Sequence, residues 1–152
     1  MKKIVTPLIL LFLTCNTIHA QTSYCDSTLW KYVYHPSRFT ILDTCATVTG
    51  TIMYKKKEAD GDFHIQLKLD PGQERLLNPR NIHVQKGCLV LEIICYNNVT
   101  QADAIQPCKY SAQNITVPKK GDHVKVTGTF VKDNEANHGW NEIHPVSAIE
   151  LL

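Results

Sequence analysis

The sequence predicts an all-β domain with one short helix, built as a five-stranded OB-fold-like Greek-key barrel. Three observations carry that expectation. Segments with strand chemistry occur in the order β1, β2, β3, short helix, β4, β5. The tetrapeptide VTGT occurs twice, at Val48–Thr51 and Val126–Thr129, and each copy is followed by a hairpin loop and a further strand. The same offset holds beyond the tetrapeptide, aligning His64 with Glu142 and Ile65 with Ile143. Barrels of this kind bind ligands with the loops of those two hairpins. Gly50 and Gly128 fall inside strands, where glycine marks a bulge or a sharp bend.

Each element has its own signal. Residues 1–20, "MKKIVTPLILLFLTCNTIHA", place Lys2 and Lys3 before an apolar run and close on a small residue. That is the layout of a secretory signal peptide, and the run is too short to span a bilayer. Residues 21–38 form an aromatic arm with a helical turn expected after Ser27. The barrel domain is expected over 39–152. "FTILDTCATVTGTIMY" is rich in β-branched residues, as strands are. In "DFHIQLKL" Phe63, Ile65, Leu67 and Leu69 alternate with Asp62, His64, Gln66 and Lys68, a period of two that predicts a half-buried strand. "CLVLEIIC" is nearly all apolar and suits a strand covered on both faces. "DHVKVTGTFVKD" and "GWNEIHPVSAIELL" complete the set. A loop with a helical turn is expected after Pro71-Gly72. A short helix is expected from Thr100, a suitable N-cap, through Ile105.

The chain has 152 residues, enough for one domain with a core. It carries 16 basic and 14 acidic residues. Removing Lys2 and Lys3 with the leader leaves the mature chain neutral. Neutrality disfavours a general nucleic-acid binder, which depends on excess positive charge. An exported chain reaches a secreted or periplasmic compartment, where disulfides persist. Five cysteines remain after the leader, so two bridges and one spare thiol are expected. Fifteen connectivities are open and sequence alone selects none; the favoured one pairs Cys25 with Cys45, stapling the arm to the first strand, and Cys95 with Cys108, closing an excursion after a central strand. Cys88 is then a free, buried small hydrophobe.

The chemistry centres on "EADGDFHIQLKLD". Asp60, Asp62 and His64 stand at every second position and share one strand face. Glu142 and His144 repeat that spacing in "HGWNEIHPV". Carboxylates with imidazoles suit a divalent metal such as Mn²⁺ or Zn²⁺, and carboxylates alone suit Ca²⁺ or Mg²⁺. The alternative is a solvated turn, with Gly61 supplying backbone freedom and His64 on the wet face of its strand. Pro145 cannot donate to a ladder and marks an edge, bulge or break; Glu142 and His144 then serve to lock that break. Lys55, Lys56 and Lys57 form the one dense basic run and, with His138 and Trp140, are candidate ligand contacts at the hairpin-loop face. Trp140 reads as a lid on the barrel end. No phosphate-binding loop, dinucleotide fingerprint or nucleophile elbow is present.

With these residues in hand, the chain resembles an uncharacterised family of small exported bacterial and archaeal proteins. The likeness runs from about Pro36 to Ile149 and rests on "CATVTGTI", "EADGDFHIQLKLD", "LVLEIIC", "VTQADA", "GDHVKVTG" and "HGWNEIHPV". It implies a shared fold, not a reaction. Cys88 departs from the acidic or polar residue expected there. A fainter likeness is to staphylococcal-nuclease-type OB domains, in which a D-G-D turn helps bind Ca²⁺. Only that turn matches, and "QERLLNPRNI" supplies no downstream acid. The expected function is therefore an exported binding module whose ligand is an oligosaccharide, an oligonucleotide or a protein partner. The alternative is a metal-dependent hydrolase, such as a nuclease, using Asp60, Asp62, His64, Glu142 and His144.

Overall fold

Runs of β-branched and aromatic residues cannot satisfy their backbone groups alone, and here five of them pair into one closed sheet. The computed structural model describes residues 24–152, so the expected signal peptide and the first residues of the arm lie outside the described residues. The strands are β1 (Phe39–Lys57), β2 (Phe63–Leu69), β3 (Leu89–Ile93), β4 (His123–Asp133) and β5 (Asn141–Leu151). They close into a ring in the order β1-β2-β3-β5-β4. All pairings are antiparallel except β3 with β5. β1 reaches both neighbours because it is 19 residues long and its register slips at three points, which bend it around the ring.

The two VTGT copies lie side by side on β1 and β4, with Val48 opposite Val126 and the Thr47 and Thr127 hydroxyls 3.0 Å apart. Their glycines do different work. A Cβ on Gly50 would stand 2.2 Å from the Lys68 carbonyl oxygen, so β1 approaches β2 more closely there than a side chain allows. Gly128 sits at a bulge, where His144 and Pro145 of β5 stand against Thr129 alone. The His144–Pro145 peptide is cis. The offset alignment also holds in space: Leu91 of β3 pairs with Ile65 on one side and Ile143 on the other.

Inside the ring, Val48, Ile52, Ile65, Leu67, Leu91, Ile93, Val126 and Ile143 form the core. Every residue of β3 is buried, as its unbroken apolar run predicts. The arm adds a satellite cluster in which Leu29 and Val33 pack on Ile94. Its expected helical turn is a 3-10 turn over Ser27–Tyr32, capped by Asp26. Two short helices lie in the connections. α1 (Pro79–His83) begins at Asn78, which caps the amides of Arg80 and Asn81. α2 (Ile105–Cys108) continues a 3-10 turn over Ala102–Ala104. Thr100 is not its N-cap; its amide donates to the Ala59 carbonyl and ties this segment to the β1–β2 hairpin.

The disulfides join Cys25 to Cys45 and Cys95 to Cys108, and Cys88 is free and buried. Both bridges suit an oxidising, extracellular environment. No helix among the described residues is long and apolar enough to cross a membrane.

Candidate functional site

A groove of about 1110 Å³ runs along the outer face of β2 and β3. The β1–β2 hairpin forms one lip through Lys56, Glu58 and Asp60, and the β4–β5 hairpin forms the other through Glu135, His138 and Trp140. The arm contributes Tyr34, His35 and Arg38. Gln66, Lys68, Gln85, Lys86 and Cys88 complete the floor with His64 and Glu92.

The polar face of β2 is not the wet face its alternation suggests. Asp62 is 4% exposed and His64 6%. The antiparallel register sets His64 opposite Glu92 of β3, and Glu142 and His144 of β5 are buried as well. Hydrogen bonding places a proton on His64 Nε2, and the electrostatics then favour the neutral pair with Glu92. The Gln85 Oε1 atom can only accept, and it takes one bond from Gln66 Nε2 at 2.8 Å and one from His64 Nε2–H at 3.3 Å. A neutral imidazole protonated at Nε2 must accept at Nδ1, so the Glu92 carboxylic acid donates to it, at 2.8 Å. The electrostatics agree. Burial lowers the His64 pKa against the Gln85 hydrogen bond, and burial with the nearby Glu142 raises Glu92 well above the carboxylate range. The other Glu92 oxygen, Oε2, is buried without a partner.

A second chain of bonds runs beside the first. Trp140 Nε1–H donates to Glu142 Oε2 at 2.8 Å, and His144 Nδ1–H donates to Glu142 Oε1 at 3.1 Å. His144 lies against the Phe39 ring, and its Nε2 is buried without a partner. Trp140 is thus no lid on the ring's interior; it lies in the groove wall with His138 stacked on it at 4.2 Å. His138 Nδ1–H donates to Asp133 Oδ2 at 2.6 Å, and Arg38 pairs with Glu135 at 2.8 Å. Burial works against ionisation of Asp133, but the His138 bond, the Glu135 amide and Arg38 hold its pKa below the ordinary value. The hairpin backbone is clamped by Arg80, which donates to the Asn137 and His138 carbonyls at 2.7 Å, and by Asn78, which donates to Gly139.

At the other lip Gly61 has a positive φ of 99°, and its carbonyl accepts from the Asn97 amide. Asp60 Oδ1 accepts from the Asp62 amide at 3.1 Å, so that oxygen is used within the turn. Asp62 Oδ1 instead accepts the Cys95 amide at 2.7 Å. Burial pushes Asp62 up to about 8 despite the opposing pull of His144, with Asp60 and Glu92 adding to the rise.

Of the residues singled out in the sequence, Asp60, Asp62, His64, His138, Trp140 and Lys56 line the groove. Glu142 and His144 stand behind its wall. Lys55 is tied to the Pro118 carbonyl and Lys57 points to solvent, so the lysine run does not face the groove as a unit. Two groups of three metal-type donors lie within 4.8 Å of one another among the described residues: Asp62 with Cys95 and Cys108, and Asp133 with Glu135 and His138. The first contains a disulfide and the second is neutralised by Arg38. Asp60, Asp62, His64, Glu142 and His144 are not gathered as one ligand set. Glu92, Gln85 and Asp133 escape sequence reasoning; a lone acid inside "CLVLEIIC" is the signal that marks Glu92. No protein-family model matches the chain, and no curated protein matches it in sequence.

Proposed function

We propose that this is an exported OB-fold binding module whose ligand is an acidic oligosaccharide lying in the groove across β2 and β3. The ring order with β3 parallel to β5, and a groove flanked by the β1–β2 and β4–β5 hairpins, support the fold reading. The observation that carries the ligand reading is the charge left over along the groove. Lys56 and Arg38 pair with Glu58 and Glu135, burial raises Asp62 to about 8 and Glu92 well above its ordinary value, and among the described residues Asp60 is the one unpaired acid left against three lysines. Lys68, Lys86 and Lys120 line the same groove without an ion pair among the described residues. An anionic ligand completes them.

Sugar is favoured over single-stranded nucleic acid by the lack of open stacking surfaces. Single strands bind on rows of exposed aromatics. Here the rings of Trp140 and Tyr34 are each covered by an imidazole, from His138 and His35, and Tyr54 is the exposed aromatic of the groove. Amides and neutral carboxylic acids offer both donors and acceptors, which hydroxyl-rich chains require.

Titration calorimetry of the oxidised mature chain tests the reading with three probes: an oligogalacturonate, a neutral cello-oligosaccharide and single-stranded DNA. The uronate is expected to bind, with affinity falling as salt rises. A variant carrying Lys68→Gln, Lys86→Gln and Lys120→Gln should lose about tenfold or more, on the scale of about 0.5 kcal/mol per exposed charge pair. Equal binding of the neutral sugar, stronger binding of DNA, or an unaffected triple variant overturns the reading.

A further inference from the structure

We infer that the Cys95–Cys108 bridge is a thiol–disulfide exchange site, cut by an external dithiol with the Asp62 carboxyl group as the proton donor to the leaving sulfur. The juxtaposition is geometric. A carboxylate oxygen of Asp62 and both sulfur atoms lie within 4.8 Å of one another. The acid is buried, and its other contact is the amide of Cys95 itself, at 2.7 Å. It therefore lies within reach of both sulfurs and is held there by the backbone of Cys95. Cys95 has a positive φ of 52°, which a non-glycine residue adopts at a cost. Each sulfur also has a carbonyl oxygen in reach: Tyr32 at 3.5 Å from Cys95 and Asp60 at 3.7 Å from Cys108. A bridged sulfur has no proton to give these oxygens, and a thiol does, so the surroundings are already set for the reduced pair.

The two sulfurs are unequal. Cys95 packs on the satellite cluster of Leu29, Val33 and Ile94. Cys108 ends α2 beside exposed Lys109 and Tyr110. An incoming thiolate attacks the Cys108 sulfur. The S–S bond breaks, its electron pair leaves on the Cys95 sulfur, and that thiolate takes the Asp62 proton. The reagent's second thiol then attacks the mixed disulfide and expels the Cys108 thiolate, which is protonated by water. The dithiol is oxidised to its cyclic disulfide, the bridge is reduced to two thiols, and Asp62 regains its proton from solvent. In the reverse direction the ionised carboxyl removes the Cys95 thiol proton. Asp60 from the hairpin, Glu92 from β3 and His144 from β5 are the charged or titratable groups that face Asp62. All three act on its proton affinity from outside the bridge.

Cys25–Cys45 is an internal control. Cys45 is exposed and Cys25 partly so, so access alone makes that bridge the first to open. The experiment is limited reduction of the oxidised protein by dithiothreitol, with alkylation and mass spectrometry assigning each cysteine over time. Cys95–Cys108 is expected to open first. Asp62→Asn keeps the acceptor for the Cys95 amide and removes the proton. It should slow both reduction and reoxidation of that bridge by about tenfold or more, within the range of positioned proton transfer, and leave Cys25–Cys45 unchanged. Asp62→Asn keeps the turn and has no proton to lose, so a change in overall stability alters both bridges together, whereas loss of the donor slows Cys95–Cys108 alone. Opening of Cys25–Cys45 first or at an equal rate in the natural sequence overturns the proposal without any variant. A rate unchanged or raised in Asp62→Asn overturns it as well.

Discussion

Asp62 makes the stability of this domain depend on pH in a direction opposite to that of an ion-paired carboxylate. Its pKa is about 8 in the folded chain against an ordinary 3.8, chiefly because it is buried. The folded protein therefore holds this proton more tightly than the unfolded chain does. The contribution is fully present below the unfolded value, drains as pH rises toward the folded value, and is flat beyond it. About four pH units at 1.36 kcal/mol each give a loss of about 6 kcal/mol between acid and alkaline conditions, comparable to the whole stability of a small domain. Glu92 shifts in the same direction and adds to the slope. Asn in place of Asp62 preserves the acceptor for the Cys95 amide and has nothing to ionise. Urea denaturation with both bridges oxidised, at steps from pH 5 to pH 9, should show natural protein losing stability faster than Asp62→Asn by about 1.4 kcal/mol per unit up to pH 8. The variant keeps only the slope due to Glu92 and is relatively the more stable protein above pH 8. Parallel curves for the two proteins, or a natural protein that gains stability over this range, would refute the reasoning.

Two further outcomes follow from the geometry. Gly128→Ala places a methyl group 2.5 Å from both Ile143 Cγ2 and the Pro145 carbonyl oxygen, so it should cost roughly 3 kcal/mol or more in a urea melt by prying β4 from β5. Because Asp60, Asp62, His64, Glu142 and His144 are not gathered and both His64 nitrogens are engaged, purified protein should carry no stoichiometric metal, and Mn²⁺, Zn²⁺ or Ca²⁺ should leave its Tm unchanged. Elemental analysis finding one bound metal, lost in an Asp62→Ala, His144→Ala double variant, would restore the hydrolase reading.

Strand order was legible because period two and β-branched runs survive any tertiary context, and the VTGT repeat marks two strands that lie together. The cysteine count left fifteen connectivities open; the favoured pairs, each closing a short excursion between neighbouring elements, are the ones the structure joins. What covers the polar face of β2 was not. Alternation separates two faces without saying that the turn after α1 supplies Gln85 to one of them, or that Phe39 roofs His144. The wet face expected for His64 thus became a buried network through contacts between segments 21 to 105 residues apart in sequence. Trp140 was misplaced for a related reason: its indole N–H, just before β5, finds Glu142 two residues on, which turns the ring into the groove wall.

The clamp of Arg80 and Asn78 on the β4–β5 hairpin gives the two lips of the groove unlike mechanics. One lip is held by several hydrogen bonds from α1, whose strength does not change with the redox state of the medium. The other leans on the segment carrying Asn97, Thr100 and Gln101, and that segment is closed by a covalent bridge. The groove is a vice with one fixed jaw and one jaw whose stiffness is set by a single bond. Any ligand that spans both is gripped against an unyielding face, and its hold is tightened or slackened from the far side alone.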